Sequence, residues 1–152
     1  IFSLAWRMTN NLETAEDIMQ DSLLRVWQHA GSWDRRKGAS VKTWICRITS
    51  NLCIDRHRKR RETTLSDMPL MEDERQDTSK TIQDQQRSLI IGRALQTLPE
   101  RQRSALILFH YEHLSIADTA TALGTSLKGA ENLLYRARQG LKQELISYKE
   151  AL

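Results

Sequence analysis

The chain has 152 residues, 39% of them apolar, and 23 lysines and arginines stand against 19 aspartates and glutamates for a formal net charge of +4. That balance describes one or two small globular domains, and two prolines with six glycines exclude a collagenous or low-complexity chain. No stretch approaches the roughly 18 uninterrupted apolar residues of a membrane span, and no charged start leads into a signal core, so a cytoplasmic compartment is expected.

The first element opens at Ile1 inside an apolar helical pattern of Ile1, Leu4, Ala5 and Met8. This reads as a helix that begins upstream, and so as a fragment. In the next, AEDIMQDSLLRVWQHA, the residues Ala15, Ile18, Met19, Ser22, Val26 and Trp27 recur at helical spacing and predict a buried face. Asp17, Gln20, Asp21 and Leu24 form a second stripe. It can be a plain solvated surface or a docking ridge; acid-base or metal chemistry would need a histidine or third carboxylate that is not nearby.

SWDRRKGASVKTWICRITSNLCIDRHRKRR then gives a basic loop containing Gly38 and a helix capped by Ser40. Its predicted apolar stripe is Val41, Trp44, Ile45, Ile48 and Leu52. Five cations occupy the six positions 56–61, more than a helix C-terminus needs to satisfy its dipole. Such a cluster beside a basic glycine-containing loop suits phosphates and opened bases. Cys46 and Cys53 lie seven residues apart on this helix, about 10 Å along its axis, too far for a disulfide. They are expected to be buried thiols.

Charge divides the chain. Residues 1–61 carry 12 basic against 6 acidic side chains, residues 62–87 carry 3 against 7, and residues 88–152 carry 8 against 6. The acidic piece holds Pro69 and no sustained apolar repeat, so it reads as a flexible linker spanning roughly 25 to 30 Å.

The remainder, 88–152, reads as four helices. Pro99 stands where the second can begin, Ser115 with Asp118 makes a capping box, Gly124 suits a left-handed helix end, and Ser126 caps the last helix. Two helices joined by a short glycine-containing turn form the helix-turn-helix pattern, although an αα-hairpin with a charged exterior has the same periodicity. Leu127, Ala130, Leu134, Ala137 and Leu141 form the expected inward stripe of the last helix. Lys128, Glu131, Asn132, Tyr135, Arg136, Arg138 and Gln139 face out, the first of them placed to enter a major groove.

In order and motif the chain resembles the extracytoplasmic-function (ECF) sigma factors of bacterial RNA polymerase. AEDIMQDSLLRVW is similar to that family's core-binding helix, VKTWICRITSNLCIDRHRKR to its promoter-melting helix, and LPERQRSALIL, LSIADTATALG and the YRAR helix to its C-terminal helix-turn-helix. The resemblance implies an all-α fold of two small domains: 1–61, a sigma region-two helical bundle, and 88–152, a sigma region-four helix-turn-helix, with 62–87 as linker. It further implies that Asp17, Gln20, Asp21, Leu24 and Trp27 bind core polymerase. Arg35, Arg36, Lys37 and Asn51 would hold an unstacked base of the minus-ten element, with Lys42, Arg47, Arg56 and Arg58 on the melted strand. Glu131, Asn132, Tyr135 and Arg136 would read the minus-thirty-five element, with Lys128 and Arg138 on phosphates.

By the same resemblance the partners are core polymerase, promoter DNA and an anti-sigma factor able to hold the protein at the membrane. No catalytic site, cofactor, metal, small-molecule substrate or membrane insertion of its own is implied. Departures are Val41, where the family has an aromatic residue, and Glu131 and Leu133 in the recognition helix. Two other classes remain at this point. A two-domain repressor or activator would have no use for the Asp17–Leu24 stripe. A metalloenzyme would have to build on His110, His113 and Glu112, which lack a further ligand nearby.

Overall fold

The computed structural model describes residues 1–63 and 81–150. It consists of seven helices: α1 (Phe2–Thr9), α2 (Leu12–His29), α3 (Val41–Thr63), α4 (Ile82–Thr97), α5 (Glu100–His110), α6 (Ile116–Leu123) and α7 (Leu127–Glu150). The proposed linker is shorter at both ends than its composition suggests. Glu62 and Thr63 complete α3, and Ile82–Arg87 form the first turns of α4, which Thr81 starts by accepting from the Asp84 N–H. The rest of that acidic segment, 64–80, lies outside the described residues.

The caps follow the sequence. Ser40 Oγ accepts from the Thr43 N–H at 3.1 Å, Ser115 Oγ from Asp118 at 3.0 Å and Ser126 Oγ from Gly129 at 3.0 Å, each satisfying a donor the helix leaves open. Gly124 ends α6 with φ +61°, the left-handed position glycine occupies without steric cost. Three residues, 124–126, therefore separate α6 from α7.

Two predicted apolar stripes are displaced. On α3, Val41 is exposed, and the buried positions are Thr43, Cys46, Thr49, Ser50, Leu52 and Cys53. The cause is that α3 is covered on two sides, by α1 and α2 and by α5 and α6, so small side chains set close approaches where an amphipathic reading expects one broad face. On α7, Leu127 is exposed, whereas Ala130, Leu134 and Ala137 are buried. Gly140 brings α7 close to the α4–α5 corner: a Cβ there would lie 2.7 Å from Leu98 Cδ2.

Two lobes result, α1–α3 and α4–α7, packed against each other with their cores in contact. The crossing contacts centre on Arg103 of α5, a charged residue only 4% exposed. The backbone ends of α1 and the side of α3 supply its surroundings.

Candidate functional site

The ridge on α2 forms because Ala15, Ile18 and Ser22 turn inward, leaving Asp17, Gln20, Asp21 and Leu24 outward by the 3.6-residue repeat and exposed. Trp27, expected among the buried positions as well as in the docking patch, is 82% exposed. It follows Gln20 by seven residues and Leu24 by three, so the helical repeat carries it onto the same outward side. Leu23, at 51% exposure, extends this apolar surface, and the repeat that joins it to Gln20 and Trp27 is the signal for it in the sequence. Arg56 of α3 reaches across to Asp17 at 3.6 Å and Asp21 at 3.4 Å. These pairs are solvent-exposed, so they position the carboxylates more than they stabilise the fold.

The basic loop is held by its own short-range bonds. Asp34 accepts from the Arg36 N–H at 2.9 Å, Gly38 turns at φ +83°, and the Trp33 indole donates to the Ala39 carbonyl at 3.3 Å. Arg35, Arg36 and Lys37 are consequently displayed on a 3-10 turn, all exposed. On α3, Arg47 and Asn51 are exposed one helical turn apart, while Arg58 lies 3.3 Å from Asp55. Lys42 differs from them: its ammonium donates to the Glu112 carbonyl of the second lobe.

On α7, Lys128, Glu131, Asn132, Tyr135 and Arg136 share the exposed side. Lys128 lies 3.8 Å from Glu131, so this carboxylate has a cationic neighbour. Leu133 packs against the core and not toward solvent, which removes it from the reading face. Arg138 folds back over the Phe109 ring at 5.5 Å and lies 3.5 Å from His110 Nε2, placing it away from the other five. It borders a surface feature that no single helix could disclose. Ile91 and Leu95 of α4, Leu106 of α5, and Leu141, Leu145 and Ile146 of α7 line an open apolar groove of about 720 Å³.

Among titratable groups, burial pushes the Cys46 thiol up to about 11 and the Cys53 thiol up to about 12, so neither is a nucleophile at neutral pH. His57 Nε2 lies 2.9 Å from Glu100. Desolvation nonetheless holds its pKa below the ordinary value, outweighing the pull of Glu100 with help from Arg103, Arg61 and Arg60. His110 is also lowered, by desolvation and then by Arg138. Among the described residues no three of His, Cys, Asp or Glu gather as a metal site, and no helix is long and apolar enough to cross a membrane.

Comparison with known proteins identifies the class. The family model of sigma-70 region 2 matches residues 1–63, and that of sigma-70 region 4 matches residues 88–141. The ECF RNA polymerase sigma factor SigM of Mycobacterium tuberculosis is 34% identical over 142 residues, covering 93% of this chain and 69% of the relative. SigW of Bacillus subtilis is 28% identical over 156 residues, covering 95% and 82%. Among solved structures, the sigma factor RpoE in complex with the anti-sigma factor NepR from Bartonella quintana superposes with a TM-score of 0.72 at 26% identity, covering 95% of this chain and 88% of that one. CnrH in complex with the cytosolic domain of CnrY shares the fold at a TM-score of 0.68 and 21% identity, covering 96% and 80%. The chain belongs to the ECF sigma factors, and is a transcription initiation factor.

Proposed function

We propose that the two lobes divide the work of initiation, with residues 1–61 and 88–152 as the functional domains. Asp17, Gln20, Asp21, Leu24 and Trp27 grip core RNA polymerase. Arg35, Arg36, Lys37 and Asn51 hold an opened base of the minus-ten element, while Lys42, Arg47, Arg56 and Arg58 follow the melted strand. Opened bases can be captured in pockets and stacked, and a cationic helix supplies the backbone contacts that single strands need.

In the second lobe, Asn132, Tyr135, Arg136 and Glu131 read the minus-thirty-five duplex from the major groove, where an amide or guanidinium can pair with purine edges and a carboxylate can accept from cytosine. Lys128 contacts phosphate. Arg138, turned onto Phe109, contributes to duplex binding less than the others. The protein works in the bacterial cytoplasm without a catalytic step of its own, and an anti-sigma factor holds it inactive, at the membrane where that partner is anchored there.

The observation that carries this reading is the exposed α2 ridge, in which two carboxylates paired with Arg56 are followed along the helix by a tryptophan that is 82% exposed. A repressor has no need of it. The test is reconstitution: the purified chain is added to core polymerase lacking any sigma factor, and transcripts are mapped. Starts at defined promoters support the proposal; random or absent starts with a correctly folded chain reject it.

A further inference from the structure

Helix α1 ends at Thr9, with Asn10 turning into the left-handed region at φ 47°, and the last carbonyls of any helix lack partners within it. Two of them face the second lobe. The Met8 carbonyl accepts from Arg103 Nη1 at 2.7 Å, and the Arg7 carbonyl accepts from Gln96 Nε2 at 3.2 Å. Arg103 is held in place by the Gln96 side-chain oxygen at 2.6 Å and the Leu98 carbonyl at 3.1 Å. A cation at a helix C-terminus is also favoured by the macrodipole. The N-terminal lobe's first helix is therefore capped by an arginine belonging to the other lobe.

Around this cap the same surfaces meet repeatedly. Glu100 takes His57 at 2.9 Å and Arg61 at 3.8 Å, Lys42 donates to the Glu112 carbonyl, and the Arg7 guanidinium lies 4.4 Å from the centre of the Tyr111 ring. Lys42 is thereby withheld from nucleic acid, and His57 and Arg61, near the other end of α3, are tied to Glu100.

We propose that Arg103 is the pin of an autoinhibitory latch: by capping α1 across the lobe boundary it keeps the chain closed, without any partner, in a form that cannot engage both promoter elements. The geometric argument rests on the promoter reading given above. Elements centred near positions 10 and 35 lie roughly 25 base pairs apart, or about 85 Å at 3.4 Å per step. A compact chain of this length has a radius of gyration of about 15 Å, so the closed form cannot span them and the lobes must part.

The interface is built to part. It buries a guanidinium whose bonds go to carbonyl oxygens, and among the described residues the Arg103 Nε finds no partner at all. A small void of about 10 Å³ remains between Met8, Cys53, Ile54, His57, Glu100 and Arg103. Desolvating a charge offsets much of what such bonds gain. On separation Arg103 regains water, whereas a wholly apolar seam would resist opening.

The experiment places donor and acceptor dyes at Arg25→Cys and Gln143→Cys, both exposed, in the full chain. Cys46 and Cys53, buried in the closed form, are replaced by alanine in every labelled chain so that opening exposes no further thiol. Single-molecule energy transfer on the chain alone should show mainly a high-transfer state, and R103M should move the closed-to-open ratio at least tenfold toward open. Wild-type chain that is mostly open, or an R103M chain with native circular dichroism and unchanged transfer, overturns the latch. Should R103M lose helix content, Q96A decides: a shift of about threefold supports the latch and no shift overturns it. Affinity for core polymerase should rise in R103M in proportion to the open fraction gained. Opening without that gain refutes autoinhibition. Failure of both proteins to bind polymerase counts against the proposed function, while the transfer ratio still decides the latch.

Discussion

Helices α3 and α7 are nearly equal in length, 23 and 24 residues, and both are assigned to DNA, yet they are built on different plans. Helix α7 buries one narrow stripe, Ala130, Leu134 and Ala137, and shows its polar side chains to solvent at the edge of the molecule. Helix α3 runs through the middle. It buries Thr43, Thr49 and Ser50 together with two cysteines, and hands Lys42, Arg56, His57 and Arg61 to neighbouring elements. A helix that reads a duplex can be optimised for one surface, whereas a helix that packs on both lobes must compromise its charges.

The comparison can be broken most severely at the polymerase ridge. Reversing Asp17 and Asp21 together to lysine places two cations beside Arg56 and should lower core-polymerase affinity by at least a hundredfold. Duplex binding by α7 should stay within twofold, measured by fluorescence anisotropy. Equal losses in both would mean the lobes do not divide the work.

Next in size are the cores. Ile107 and Leu134 are fully buried in the second lobe, and truncating either to alanine should cost about 2–5 kcal/mol in urea unfolding. In α3 the expected sign is opposite. Among the described residues the Thr49 and Ser50 hydroxyls are buried without a hydrogen-bond partner, so Thr49→Val and Ser50→Ala should be neutral or stabilising by up to about 1 kcal/mol.

On the reading face, Arg136→Ala or Asn132→Ala should cost about 1–3 kcal/mol of duplex binding and relax specificity at one position. Lys128→Ala should weaken binding across all sequences and reduce the slope of log affinity against log salt by about 1. It also strips Glu131 of its partner, so the loss should exceed that of Arg138→Ala, whose guanidinium is turned onto Phe109.

These outcomes bear on how much the sequence discloses. Caps are local chemistry, so Ser40, Ser115, Gly124 and Ser126 could be assigned from a few neighbouring residues, and with them the helix-turn-helix. The α2 ridge was legible for the same reason, since the helical repeat fixes which residues share a side. What sequence could not show is which second surface covers a helix. Thr49 and Ser50 fall outside the apolar stripe read on α3, and only the packing of α5 and α6 in addition to α1 and α2 accounts for their burial. Arg103 is the extreme instance: within LPERQRSALIL it looks like one more surface cation, and the partner that carries it across the lobes, the Met8 carbonyl, lies 95 positions away, beyond any periodicity.

The smallest effect concerns acid. His57 is held below its ordinary pKa in the closed arrangement, by desolvation first, with the nearby Arg103, Arg61 and Arg60 opposing Glu100. A group lowered in one state favours that state while it is neutral, so its contribution to closure is present above the ordinary histidine value, declines as pH falls below it and is gone once pH lies below the lowered value of the closed form. The dye-labelled chain should therefore open slightly between pH 7.5 and pH 5.5, and His57→Gln should flatten the response. A shift toward closure on acidification would mean that the Glu100 pair outweighs desolvation and that acid tightens this contact between the lobes.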